Sequence, residues 1–386
     1  MASLDGLRKK FSELFGGEPR IFRAPGRVNL IGEHVDYNEG WVFPTAIDRD
    51  CFVCAQARSD RRLQIHSEQM RETVECGLDE PRPSQHQWSN YVRGVAWALA
   101  ETGQHVSGAD MLISNDVPMG AGLSSSAALE VSSGLALLRL VGVEMDPVRL
   151  AQACQRAENE YVGMRCGIMD QLAACCGRRG QAMLIDCRTL EIEMEALDES
   201  EVSVVVANTM TKHALAASSE YNRRRQECED AVERIRMKRP EVKALRDVTW
   251  KEIEGLASGW PENIRRRARH VTSEIARVHA AATALRKRDF AELGRLISES
   301  HESLNADYEV SSRELNLMVE LAGKLPGFLG GRMIGAGFGG CTMNLVRTNA
   351  AANFAKSLAE SYEKQRGIRP DVYLCHASDG AAEIAR

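Results

Sequence analysis

An α+β fold is what the sequence predicts, and three observations carry that expectation. Short strand-like runs mix with helices in the first half, a β-branched run lies near the middle, and long charged helices fill much of the second half. Trp41 to Ala46 and Cys51 to Ala57 read as strands, and Asn90 to Glu101 and Ser124 to Val141 as helices. A helix-like stretch follows Asp170. The run Val202-Ser203-Val204-Val205-Val206-Ala207 is rich in β-branched residues, which suit a pleated surface, so a buried strand is expected there. Charged helices follow at roughly Ser218 to Lys238, Pro261 to Lys287 and Asp289 to Asn305. The last spaces Phe290, Leu293, Leu296 and Ile297 by three or four residues, giving one apolar and one solvated face. Met343 to Val346 is strand-like and Ala350 to Gln365 helical.

The length of 386 residues suggests two or three domains and a large core. No low-complexity linker or fixed-period repeat separates them, so they are expected to pack closely. Lys and Arg (49) nearly balance Asp and Glu (54), which offers nucleic acid no global attraction. No stretch approaches the roughly 20 apolar residues of a membrane span, and Met1 to Gly17 lacks the apolar core of a signal peptide. A cytoplasmic protein is expected, without nucleic-acid or membrane partners. Its 11 cysteines then read as reduced thiols, the odd count agreeing. Cys51 and Cys54 form a CxxC pair, but on a strand residues three apart face opposite ways, so buried thiols are expected rather than a metal site.

Three glycine-rich segments carry the chemistry. In Pro118 to Glu130 (PMGAGLSSSAALE) the glycines let the backbone bend close to a ligand. The run from Ser124 can cap and open a helix whose free N–H groups and positive dipole end suit phosphate, and its hydroxyls can reach a magnesium ion. The lysine of GxxxxGK[ST] is missing, so this is not a P-loop; a loop that merely caps a helix is the plainer alternative. Gly335 to Gly340 (GAGFGG) satisfies GxGxxG, yet a strand follows where a dinucleotide-binding fold needs a helix, and too little chain remains for such a domain. Ala24 to Asn38 gathers Arg27, Glu33, His34 and Asp36 around Leu30-Ile31. That mixture of donors and acceptors suits a polyhydroxylated ligand; a solvated loop with a structural Arg–Asp pair competes with this reading.

Taken together and in this order, the segments resemble the galactokinases, a branch of the GHMP small-molecule kinases. Gly26 to Tyr37 matches the signature GRxNLIGEHxDY, Pro118 to Glu130 the phosphate loop, and Gly335 to Gly340 the C-terminal glycine motif. The runs Gln87 to Gly94, Cys166 to Gln171 and Ser218 to Arg224 are similar to galactokinase segments as well. The resemblance implies a two-domain GHMP-kinase-like α+β fold with its active site in the interdomain cleft. Residues 1–175 would hold the sugar signature and phosphate loop, and 176–386 the glycine motif. It implies ATP-dependent phosphorylation of the anomeric hydroxyl of galactose, with ATP and Mg2+ bound. Gly120, Ala121, Gly122, Leu123, Ser124, Ser125, Ser126 and Ala127 would wrap the ATP phosphates and Trp88 would lie against adenine. Ser126 and Glu158 would hold magnesium. Arg27, Glu33, His34, Asp36, Gly167, Asp170 and Tyr221 would meet the sugar, with Asp170 acting on the anomeric hydroxyl and Arg27 beside it. A monomer is the expected assembly.

The chemistry agrees with that assignment on its own terms. Phosphoryl transfer passes through a loose transition state, so positioning an in-line hydroxyl and neutralising charge suffice. An aspartate titrating near 3.9 is a weak base for an alcohol, which favours late proton acceptance by Asp170. Arg27, always charged, can stabilise the sugar oxygen or the phosphoryl group. Each residue also has a plainer reading: Asp170 as a helix cap, Glu158 as a surface residue, Trp88 and Tyr221 as packing. Arg223 to Arg225 read as a solvated helix face. Ile334 and Gly331 depart from the Thr and Ala usual in the family, and the spacing from His213 to Tyr221 is one residue longer than in many relatives. Kinases of mevalonate, homoserine or N-acetylgalactosamine are alternatives within the superfamily. A non-catalytic galactose sensor is another, but such sensors lack the Ser-Ala pair that Ser126-Ala127 supplies here.

Overall fold

A computed structural model describes residues 3–79, 83–211 and 214–385, so His213 and its spacing to Tyr221 lie outside the described residues. The first half runs α1 (Leu4–Phe15), β1 (Arg20–Asn29), β2 (Trp41–Val42), β3 (Pro44–Arg58), β4 (Arg62–Ser67), β5 (Glu72–Gly77), α2 (Ser89–Glu101) and β6 (Gly108–Asn115). Then come α3 (Ser125–Leu140), α4 (Pro147–Arg156) and α5 (Met169–Cys176). The second half begins with β7 (Gln181–Asp186), β8 (Ile192–Ala196) and β9 (Val202–Asn208). It continues with α6 (Ala214–Arg236), α7 (Trp250–Ala257), α8 (Glu262–Arg286), α9 (Phe290–Ser303) and α10 (Arg313–Ala322). It closes with β10 (Phe328–Met333), β11 (Cys341–Arg347), α11 (Ala351–Arg366), β12 (Asp371–Cys375) and β13 (Ala382–Ile384).

Among the described residues the strands form three sheets, ordered β13-β1-β3-β6-β4-β5, β10-β11-β9-β12 and β2-β7-β8. Helices and sheets share the architecture, as an α+β class requires. The only parallel pairing described, β4 with β6, lies inside the first sheet. That sheet takes its edge strand β13 from the far end of the chain, Ile21 opposing Ile384.

Patterning explains most elements. On β3, Cys51, Val53 and Ala55 face the main core, whereas Cys54 packs with Leu7, Phe11 and Ile21 beneath α1. The CxxC pair is thus split across the sheet, and all 11 cysteines are free. β9 lies inside its sheet and is buried on both faces, which is why it reads as an unbroken apolar run. Val204 and Val206 join the main core; Val205 and Ala207 pack with Val346 and Phe354 under α11. The predicted stripe Phe290, Leu293, Leu296 and Ile297 is buried along α9.

Two expectations need correction. The strand expected from Trp41 to Ala46 breaks at Phe43, with β2 pairing β7 and β3 pairing β1. The arginines of α6 are not a uniformly solvated face. Arg223 is exposed, but Arg224 is buried, its guanidinium donating to the carbonyls of Tyr308 (2.8 Å) and Glu309 (3.0 Å). Those carbonyls end the helical turn after α9 and have no intrahelical partner, so a cation is well placed there. No helix among the described residues is long and apolar enough to cross a membrane.

Candidate active site

The sugar-signature segment begins on β1. The β1–β3 register shifts between Pro25 and Arg27, and beyond the shift the Arg27 N–H leaves the ladder for the Leu123 carbonyl (3.1 Å). This bulge brings β1 against the loop before α3. The Arg27 guanidinium donates through Nη1 to the Gly122 carbonyl (2.6 Å), and through Nε and Nη2 to the two carboxylate oxygens of Asp170 (2.8 and 2.9 Å). Such a two-pronged grip fixes the carboxylate plane. Burial alone would weaken the Arg27 charge, but Asp170 and Glu33 beside it overcome that and raise its pKa.

Asp170 stands in the first turn of α5 and is not its cap, a position Ile168 takes. The carboxylate instead receives Arg27 and the Ser124 hydroxyl. Ser124 precedes α3 at φ 61°, in the left-handed region, and makes no capping bond. The cap expected of it is therefore absent, because its hydroxyl is turned to Asp170. Arg27 is almost wholly buried (4% exposed) while Asp170 is 30% exposed, so the pair offers its carboxylate to the cavity.

Around it lie the other sugar-signature residues. Glu33, His34, Asp36, Gly167 and Tyr221 line the same cavity as Arg27, Asp170, Ser126 and Glu158. Gly167 is there because nothing larger fits: a Cβ would sit 1.9 Å from Asp36 Oδ2. Asp36 accepts the Tyr37 N–H (3.0 Å); burial, and then the Asp170 charge, push its pKa up to about 6. His34 shares a hydrogen bond with the Tyr37 hydroxyl (2.9 Å), with the Tyr221 ring 5.5 Å away. Burial holds it well below the usual histidine range, so the ring is neutral near pH 7. Burial also raises Glu33, against the pull of Arg332 and Arg27.

The two remaining glycine segments meet back to back. A Cβ on Gly335 would lie 2.6 Å from the Gly122 Cα, so both glycines allow the phosphate loop and the C-terminal motif to touch. Within the loop, Ala121, Leu123 and Ala127 bury their side chains in the core, leaving their backbone as the part able to meet a ligand. Gly120 is exposed, and Ser125 and Ser126 stand half-buried at the α3 N-terminus. Glu158 is buried in a π-helical turn, Ala157–Val162, continuing α4, so it is not a surface residue. Burial, and then Asp170, push its pKa up to about 7, and the Ser126 hydroxyl bonds to it.

A buried carboxylate and a hydroxyl so placed suit a hard dication that takes its other oxygens from phosphate and water. Among the described residues no group of three His, Cys, Asp or Glu could hold a metal unaided. Trp88 stands apart: it does not line the cavity, and its indole N–H donates to Glu72 Oε2 (2.7 Å) at the start of α2. Sequence reasoning missed Tyr91, Met164, Cys166, Met169 and Ala336 as cavity residues. It also missed Glu130, bound with Glu158 to the Gln171 amide (3.0 and 2.8 Å). The one available signal was spacing, since Glu130 follows Ser126 by four on α3 and so shares its face.

Three family models match the chain: the galactokinase galactose-binding signature over residues 9–57, the GHMP kinase N-terminal domain over 90–178 and the GHMP kinase C-terminal region over 281–364. A galactokinase of Roseiflexus sp. (strain RS-1) is 45% identical over 379 residues, covering 98% of this chain and 96% of that one. The crystal structure of Lactococcus lactis galactokinase complexed with galactose superposes with a TM-score of 0.93 at 36% identity, covering 99% of this chain and all of that one. Methanococcus jannaschii mevalonate kinase, at 15% identity and a TM-score of 0.63 over 94% of this chain and 99% of that one, shares the fold alone.

Proposed function

The chain belongs to the galactokinase family of the GHMP kinases, and from that premise we propose that it transfers the γ-phosphoryl group of ATP to the anomeric hydroxyl of galactose. The observation that carries the chemistry is the Asp170 carboxylate, gripped from one side by buried Arg27 and open on the other to a cavity lined by Glu33, His34 and Asp36. Glu33 and Asp36 accept from sugar hydroxyls, while neutral His34 and the Tyr221 hydroxyl can donate or accept.

Asp170 receives the proton of the anomeric hydroxyl at its carboxylate as phosphoryl transfer proceeds, and Arg27 keeps that carboxylate aimed. The loop Gly120 to Ala127 wraps the ATP phosphates, its backbone N–H groups joining the α3 N-terminus in favouring negative charge. Ser126 and Glu158 would hold magnesium, whose charge would neutralise that of the transferring phosphate. Trp88 serves adenine from outside the cavity. The active protein is a cytoplasmic monomer of two domains that divide near residue 175.

The test is ADP release with magnesium-ATP against galactose, N-acetylgalactosamine, glucose, arabinose, mevalonate and homoserine. Galactose gives the highest kcat/KM, and the product carries phosphate on its anomeric oxygen. Faster turnover of mevalonate or homoserine overturns the sugar assignment, and sugar binding without ADP release supports a sensor instead.

A further inference from the structure

Behind the cavity, in the chain's second half, lies a charged cluster that the reaction as described does not use. Arg332 on β10 is wholly buried, as is Glu274 on α8. Arg332 Nη2 donates to Glu33 Oε2 and to the Asn29 carbonyl (3.0 Å), and Nη1 donates to Ser300 Oγ on α9 (3.3 Å). Glu274 Oε1 accepts the backbone N–H groups of Gly32 (2.9 Å) and Glu33 (3.3 Å) and the Ser300 hydroxyl (2.6 Å). Burial opposes its charge, but Arg277, His270 and Arg332 hold its pKa down to about 2. The Glu33 carbonyl meets His270 Nε2 (3.1 Å). Glu33 is thus held at its N–H, its carbonyl and one carboxylate oxygen by α8 and β10.

A buried ion pair is weak evidence for stability, since well-packed apolar residues often serve as well or better. Arg332 also leaves its Nε without a partner, a poor choice for stability alone. Its forked guanidinium spans three acceptors, on Glu33, Asn29 and Ser300, that one ammonium point charge could not orient together. We propose that Arg332, backed by Glu274 and Ser300, is a positioning residue for sugar recognition: it ties down Glu33 Oε2 so that Oε1 is presented to one particular galactose hydroxyl. This deepens the galactokinase reading and rests on it. It gives the C-terminal glycine segment a second role, because Arg332 stands three residues before Gly335 and links that segment to the sugar signature.

The experiment compares Arg332→Gln, Arg332→Lys, Ser300→Ala and Glu33→Gln on galactose and its monodeoxy derivatives, with calorimetric sugar binding and steady-state kinetics. Arg332→Gln raises the galactose KM and Kd by roughly 10- to 100-fold, the scale of a hydrogen bond to a charged group, and leaves the ATP KM within about threefold. For one deoxy sugar the penalty shrinks to within about threefold, and it is the same sugar for which Glu33→Gln makes no difference, because both lose the same hydroxyl contact. Arg332→Lys recovers part of the affinity. Should Arg332→Gln fail to accumulate folded, Ser300→Ala, which strands no charge, shows the same sugar pattern at smaller amplitude. An equal penalty across all the deoxy sugars, a parallel rise in the ATP KM, or a flat pattern in Ser300→Ala overturns the proposal. Absence of ADP release with galactose in the unsubstituted protein overturns the functional reading instead.

Discussion

Replacing Asp170 by Asn separates the chemistry of the site from its architecture. The Asp170 carboxylate receives two bonds from Arg27 and one from Ser124. Asn keeps one acceptor oxygen but necessarily sets its NH2 against one of the two Arg27 N–H groups, which can only donate. Stranding one charge of a buried pair costs about 3–5 kcal/mol. Here Asp170 is 30% exposed, and Arg27 keeps the Gly122 carbonyl and the charges of Glu33 and Asp36. The loss of stability is therefore smaller, about 1–3 kcal/mol, yet above the near-zero change if Asp170 were only a helix cap. Loss of a general base lowers kcat by roughly 10²–10⁴-fold, or about 3–5 kcal/mol of barrier. Adding Arg27→Gln to Asp170→Asn removes the stranded charge, so the double variant regains part of its thermal midpoint and none of its kcat. The assay is kcat at saturating galactose and magnesium-ATP, with calorimetric ATP affinity and thermal midpoint on the same preparations. A kcat within about threefold of the parent refutes the catalytic role.

Glu158→Gln raises the magnesium concentration needed for half-maximal activity and leaves galactose affinity unchanged; a magnesium titration identical to the parent's removes Glu158 from the metal site. Because Asp36 has its pKa pushed up to about 6, the galactose KM climbs as pH falls through that value. The raised pKa also means that the folded state takes up this proton more readily than the unfolded chain. The contribution of Asp36 to stability is therefore full below the ordinary 3.8 and lost as pH rises through about 6, opposite in direction to its effect on binding. In Asp36→Asn the acidic limb of the KM profile disappears, and its persistence sinks the assignment. Gly167→Ala drives a methyl into Asp36 and raises the galactose KM about tenfold with the ATP KM unmoved, an effect of the usual size for overpacking; equal kinetics for the two proteins means that the Asp36 loop yields freely.

How far the sequence could be read follows from where its information lies. α9 was legible because its burial repeats with the period of the helix, and β9 because a strand buried on both faces is a short unbroken β-branched run, so each announces its own environment. β1 was not, since Arg20 to Asn29 carries two further arginines, a proline and a glycine and looks like a loop. It is a strand because partners far along the chain complete it: Arg20 is matched by Glu383 (2.7 Å), and Arg27 by Asp170. The site residues were legible as types, through a resemblance that names Arg27, Glu33 and Asp170 without saying what surrounds them. Ser124 shows the limit, for a serine before a helix reads as a cap by local rules, whereas here a carboxylate 46 positions away claims its hydroxyl. Arg332 shows it more sharply, because nothing beside it in the chain marks it apart, and only the fold brings it to Glu33. Local rules fail at these positions for one reason: a charge can be buried only against a partner, and that partner is chosen by the fold. In this chain the buried charges Arg27, Glu33, Glu158 and Arg332 gather around one cavity and the wall behind it. Apolar patterning accounts for the framework, and those of its violations that line the cavity mark the chemistry, whereas buried Arg224 and Arg267 only tie helices together.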